Sequence, residues 1–255
     1  MKKSLSTLLL ATLSAASWNA VAAEETKSPH TLTANGGLFS QYVFRGLTQT
    51  NEKPAFQGGV DYSHANGFYL GNWNSNVSWI SDAAQTFGAG PVSASLESDF
   101  YGGYKGSFTE DIPYDVGFLR YQYWGTYENG FVKPDTNEFY ASVGYKWATL
   151  KYSYSVGDTF GIADSKGSDY IELNVSAPLS AKWTVAAHVG KQRYKGPNRA
   201  DLDYNDYKLG ATYDLGEGYS LGLAGTNTNA KDSVYTLLGK NIGKSHFVVN
   251  VAKTF

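Results

Sequence analysis

Glu138-Phe139-Tyr140-Ala141-Ser142-Val143-Gly144-Tyr145-Lys146-Trp147 runs directly into Ala148-Thr149-Leu150-Lys151-Tyr152-Ser153-Tyr154-Ser155-Val156. In the first half Phe139, Val143, Tyr145 and Trp147 stand opposite Glu138, Ser142 and Lys146. In the second, Leu150, Tyr152, Tyr154 and Val156 stand opposite Lys151, Ser153 and Ser155. This alternation has a period of two, the spacing of a pleated strand with one apolar face. Only a short connection, 147–150, separates the two runs, so they form an antiparallel hairpin.

Outward from this hairpin the same alternation continues along nearly the whole chain. It predicts 12 strands, the first around Leu38, Tyr42 and Phe44, the last on Phe247, Val249 and Val251, ending at Phe255. The connections sort by length. Those at 63–67, 109–113, 147–150, 178–182 and 215–218 are short. Those at 45–54, 80–93, 124–137, 157–168, 193–204 and 227–245 are long, and the two kinds alternate. Tight turns at one end and long loops at the other mark an up-and-down transmembrane barrel. The reading is therefore an all-β, antiparallel transmembrane β-barrel of about 12 strands. Loops 80–93 and 124–137 belong on the cell surface.

Composition agrees. The chain has 255 residues, with 20 Tyr, 13 Phe, 6 Trp and 28 Gly but no Cys. Tyr and Gly suit sheet and tight turns, whereas Gly in a helix costs roughly 1 kcal/mol relative to Ala. Mean hydropathy is −0.35, and no apolar run approaches the ~20 residues a helix needs to cross a bilayer. Met1-Lys2-Lys3, an apolar stretch from Leu5 to Ala16 and the small residues Ala20-Val21-Ala22-Ala23 have the form of a signal peptide. The expected organisation is a signal peptide over 1–23 and a barrel over 24–255, exported to the outer membrane of a Gram-negative cell. Without Lys2 and Lys3 the 21 basic residues fall to 19 against 23 acidic. This balance gives no reason to expect nucleic acid as a partner.

Five further segments, in order, carry a resemblance. They are Tyr42-Val43-Phe44-Arg45-Gly46-Leu47-Thr48-Gln49-Thr50; Lys53-Pro54-Ala55-Phe56-Gln57-Gly58-Gly59-Val60-Asp61-Tyr62; Gly67-Phe68-Tyr69 running into Asn76-Val77; Leu96-Glu97-Ser98-Asp99-Phe100-Tyr101-Gly102-Gly103-Tyr104; and Tyr114-Asp115-Val116-Gly117. Together they resemble the TorF-type porins, the Gcw_chp family of proteobacterial outer-membrane barrels. The resemblance implies an outer-membrane barrel with an inferred role in transport.

The polar strand face is the candidate functional surface. Alternation turns Asn72, Asn74, Asn76, Glu97, Asp99, Arg120, Glu138, Lys146, Lys151, Glu172, His188 and Lys208 towards the lumen as pore-lining residues. If the 109–113 turn joins two strands, facing residues have numbers summing to about 219–221, which brings Glu97 and Asp99 towards Arg120. An enzyme on such a barrel needs a nucleophile and a His base. The four histidines, His30, His64, His188 and His246, are dispersed, and no Gly-x-Ser-x-Gly elbow occurs. The chain is thus expected not to be an enzyme and to need no cofactor or metal. The function expected is passive passage of small polar solutes. A structural or adhesive barrel without transport is the alternative, and a barrel enzyme a more distant one. The expected partners are outer-membrane lipid, the small polar solute and the barrel assembly machinery, through the last strand and Phe255.

Overall fold

The computed structural model describes residues 28–199 and 201–255; the expected signal peptide lies outside them. Twelve antiparallel strands form a closed barrel. In chain order they are β1 His30–Phe39, β2 Ala55–His64, β3 Phe68–Asn76, β4 Ser93–Thr109, β5 Ile112–Thr126, β6 Thr136–Tyr145, β7 Ala148–Ser155, β8 Asp169–Pro178, β9 Trp183–Arg193, β10 Tyr204–Gly216, β11 Tyr219–Thr228 and β12 His246–Thr254. Each strand pairs with its sequence neighbours, and β1 closes the sheet on β12 through Asn35↔Thr254 and Phe39↔Asn250. Closure removes every unpaired edge, the condition for a sheet to sit in hydrocarbon.

The five short connections share one end and the six long ones the other. One face of the wall is largely apolar, with Leu32, Leu70, Phe139, Leu209, Leu223 and Phe247 all exposed on it. Tyr145, Trp147, Trp183 and Tyr219 are also exposed and lie beside the short turns, where amphipathic rings meet a membrane interface.

The first strand differs from the expectation. It occupies His30–Phe39, and Tyr42, Phe44 and Arg45 leave the wall. Val43–Phe44 and Leu47–Thr48 instead form a separate two-stranded hairpin. The loop between β3 and β4 carries a helix, α1, Trp79–Phe87, ended by Gly88 at φ 67°. It buries Ile80 and Ala84, spaced i and i+4 on one face.

Candidate functional site

The small hairpin turns on Arg45 and Gly46, with φ 44° and 78°. Positive φ at both central residues is the geometry of a type I′ turn, the form whose twist matches a two-residue hairpin. Gly46 is required for space as well. A Cβ there would lie 2.4 Å from Thr228 Cγ2 and 2.7 Å from Asp206 Cβ. The loop is held inside the barrel by its backbone: Thr48 N–H donates to Ile242 O (2.8 Å), and Ser78 and Trp79 N–H donate to Gln49 O (2.8 and 3.1 Å). Gln41 Nε2 donates to Phe247 O at 3.0 Å.

Arg45 is carried by this turn into the middle of the barrel. Its Nη2 meets Glu138 Oε2 at 2.7 Å and its Nη1 donates to Glu138 Oε1 (3.0 Å) and Gln192 Oε1 (2.8 Å). The guanidinium lies over the rings of Tyr170, Phe44 and Phe160, 4.2, 4.9 and 5.6 Å from their centres. Glu138 comes from β6, Tyr170 from β8 and Gln192 from β9, so these side chains must point to the interior. Burial alone would weaken the Arg45 cation, but the Glu138 carboxylate, Tyr121 and Tyr170 together outweigh it and hold the guanidinium more firmly charged than usual. Beside it, Tyr42 donates to Glu97 Oε1 at 2.8 Å. Burial first, then Glu97 and Asp99, keep the Tyr42 phenol protonated above its ordinary range.

Among the described residues, two neighbouring cavities of the barrel bear on this hairpin tip. The inner one, about 110 Å³, has a mixed lining, in which Lys151, Glu172, His188, Asp206 and Lys208 stand among apolar side chains such as Phe39, Trp73 and Val248. The outer one, about 360 Å³, is walled mainly by aromatic and aliphatic side chains from the long loops and strand ends. Among the described residues, Phe44 and Arg45 alone line both. The tip of the inserted hairpin is therefore the partition between them.

The inner cavity has a braced wall. His188 Nε2 lies 2.8 Å from Asp206 Oδ1, and its Nδ1 lies 2.7 Å from Asn174 Oδ1. Tyr170 donates to Asp206 Oδ2 at 2.8 Å, and Asn174 to Glu172 at 2.8 Å. Towards the short turns, Tyr69 donates to Asp115 and Tyr101 to Asp61, each at 2.5 Å. Among the described residues no three His, Asp or Glu side chains are grouped to hold a metal.

Of the residues expected to line the lumen, Glu97, Asp99, Glu138, Lys151, Glu172, His188 and Lys208 lie on the interior face. Asp99 is fully buried, and neither of its carboxylate oxygens has a partner among the described residues. Lys146 is exposed in the turn between β6 and β7, with φ 52°.

Asn72, Asn74, Asn76 and Arg120 depart from the expectation and lie on the outer face. The expected register is present, with Asp99↔Tyr121 and Phe100↔Arg120, each summing to 220. Directly paired residues share a face, so Arg120 goes out with Phe100 while Tyr121 goes in with Asp99. Leu119, Tyr121 and Tyr123 are buried inside β5, and Tyr69 and Trp73 inside β3.

Outside, the polar groups satisfy one another. Arg120 reaches Gln122 (2.6 Å), Asn137 (3.2 Å) and Asp135 (3.3 Å), and Asn74 bonds Asn72 and Ser98 at 2.6 Å each. Lateral pairing lowers the cost of polar atoms on a wall facing lipid. The alternation rule misreads both strands because it sorts polar from apolar, whereas interior tyrosines serve as donors to buried carboxylates.

The missed residue is Arg45, together with Phe44 and α1. The sequence signals for them were Arg45-Gly46, a turn dipeptide between two short β-prone pairs, and Ile80, Ala83, Ala84 and Phe87 at i, i+3, i+4 and i+7.

The barrel is similar to solved porins. It superposes on the KdgM porin with TM-score 0.57 and 10% identity, covering 88% of this chain and 99% of that one. On the NanC porin the TM-score is 0.53 and the identity 11%, over 88% and 99%. A KdgM porin in complex with disordered oligogalacturonate gives 0.52 and 8%, over 88% and 98%. These likenesses establish a shared fold. No curated protein matches the chain by sequence. The family model described as "Bacterial protein of unknown function (Gcw_chp)" matches residues 23–255, and the chain belongs to that family.

Proposed function

We propose that the protein is a passive channel of the Gram-negative outer membrane for small polar solutes, narrowed by its own first loop. The observation that carries this reading is the meeting of the two cavities at Phe44 and Arg45 alone among the described residues. A solute passing the barrel lengthwise goes by that tip. Lys151, Glu172, His188 and Lys208 then line its path on the inner side, and Glu97, Asp99 and Glu138 stand around the tip. Their mixed signs leave no single field to select strongly for anions or cations. The exposed belt of the outer wall is the surface for outer-membrane lipid. The signal peptide over 1–23 delivers the chain for export. The outward phase of Phe247, Val249 and Val251, with Phe255 exposed beyond them, suits recognition of the last strand by the assembly machinery.

The test is single-channel conductance in planar bilayers for the wild type and for a variant whose residues 41–50 are replaced by a short Gly-Ser linker. The wild type is expected to give small reproducible steps and the shortened loop larger ones. The paired state of Arg45 favours a second reading, a closed barrel whose loops make contacts without transport. Folded protein giving no steps in either form supports that second reading and overturns the first.

A further inference from the structure

We infer that the outer cavity is a binding site for compact, uncharged aromatic solutes that carry a hydroxyl or a comparable polar group. This names the solute class of the proposed channel. It rests on that reading for passage across the barrel, but binding itself stands without it.

The volume sets the size. About 360 Å³ is at the lower end of pockets that take small organic ligands, and it suits a single substituted ring. The walls set the chemistry. Trp79, Tyr123, Phe131, Phe160, Tyr194 and Tyr235 all line the cavity. They already meet their neighbours edge to face: Trp79 on Tyr123 at 5.6 Å and 88°, and Tyr235 on Tyr204 at 5.3 Å and 73°. An additional ring can continue such packing with the same offset or edge contacts. Ala83 and Ala84 of α1 leave room on one side. Phe87 and Val132 also line the cavity and are themselves exposed, which puts them at its mouth.

Charge is excluded by what Arg45 already does. The guanidinium is the cationic group lining this cavity, and Glu138 neutralises it in a buried pair. A carboxylate entering would lose its hydration and find no free counter-charge. A sugar would lose many hydrogen bonds to water against a wall that is mainly aromatic and aliphatic, its polar groups being Arg45, Gln49, Gln192, the Trp79 indole and the hydroxyls of Tyr123, Tyr194, Tyr204 and Tyr235. Arg45 and Gln192 are moreover bonded to each other. A wholly apolar ring would bind here but would then face the charged inner cavity. A ring with one neutral polar group suits both compartments.

The experiment is calorimetric titration of the folded, detergent-solubilised full-length barrel with phenol, with glucose, benzoate and decanol as comparators. Phenol is expected to bind saturably, with glucose and benzoate showing no saturable binding. Ala83→Phe fills the cavity from α1 and is expected to weaken phenol binding at least tenfold. Phe131→Ala removes one wall ring from a loop without touching α1, and is expected to weaken it severalfold. Phenol binding unchanged in both variants, or absent from the wild type, overturns the inference. So does saturable binding of decanol alone, which would make the cavity a seat for lipid or detergent chains. Phenol binding without conductance would remove the channel reading and leave the site. Conductance without phenol binding would remove the site and leave the channel.

Discussion

Arg45 and Glu138, 93 residues apart in the chain, meet at 2.7 Å in the middle of the barrel, with side-chain exposures of 7% and 2%. Neither strand neighbourhood nor a short loop brings them together. The first loop has to fold inward for the pair to form. Removing one partner of a buried pair leaves an uncompensated charge, at a cost of about 3–5 kcal/mol. Glu138→Leu is therefore expected to lower the temperature at which the barrel loses its compact gel mobility and to free the loop. Arg45→Met with Glu138→Leu should recover most of the loss, because apolar replacement of both partners is close to neutral. A double-mutant cycle on thermal unfolding in detergent checks this.

Gly46 supplies an independent handle on the same turn. Its φ of 78° and the closeness of Thr228 and Asp206 leave no room for a side chain. Gly46→Val is expected to displace the hairpin from the lumen while the twelve strands stay paired. Limited proteolysis should then cut within 41–50 in the variant and spare that segment in the wild type. Equal resistance in the two would show that the tip is not packed as described.

Arg120 and Lys208 separate the two faces of the wall. Arg120 bonds laterally on the outer face and Lys208 lines the inner cavity. Lys208→Ala is expected to shift the reversal potential in a salt gradient towards cation preference. Arg120→Ala should leave it within error of the wild type. A shift from Arg120→Ala would place that side chain in the conducting path and reverse the phase of β5.

The sequence carried the architecture because it is written in repeated, local signals. The hairpin of β6 and β7, the alternation of short and long connections, and the register of β4 on β5 were all legible from spacing. The interior was less so, since an amphipathic side chain does not declare which side it faces. Tyr121 and Tyr69 look like lipid-facing residues, yet each donates to an interior partner, Glu138 and Asp115. Arg120 and Asn74 look lumenal, yet each is satisfied sideways by neighbours on its own face. The tip residue Arg45 was hidden for a different reason. Its partners Glu138, Tyr170 and Gln192 come from three strands, and only closure of the barrel brings them around one loop.

Glu52 ties the first loop to the last. It bonds Lys240 Nζ at 3.0 Å, with His246 Nδ1 3.5 Å from its other oxygen. The Lys240 hydrogen bond holds the Glu52 carboxyl below its usual range, against a smaller opposing effect of burial. A depressed carboxylate contributes stability above its unfolded value and loses it as pH falls through the folded one. The clasp is therefore expected to hold at neutral pH and to loosen only below the ordinary carboxylate range. Its contribution is small, at most about 1 kcal/mol for so exposed a pair. Hydrogen exchange around Lys240 should rise at acid pH relative to the intrinsic rate in the wild type. Glu52→Gln should show the loosened state at neutral pH too, with the pH response gone.

The outer belt gives a plain thermodynamic test. Leu209 is 71% exposed in the middle of β10. Leu209→Arg is expected to cost about 2–4 kcal/mol if that position lies near the bilayer midplane. Urea unfolding from lipid vesicles measures it, and a neutral substitution would contradict a lipid-facing wall there.

In the proposed channel Arg45 stands between the two compartments. The chain has no cysteine, so Arg45→Cys introduces a single thiol at that point. The measurement is single-channel current through this variant as a small anionic, and then a small cationic, thiol-specific reagent is added. A stepwise change in conductance is expected on modification, with opposite shifts in ion preference for the two reagents. Arg120→Cys, treated in the same way, should conduct unchanged. Complete modification at position 45 with current and selectivity unaltered would show that Arg45 does not stand in a conducting path.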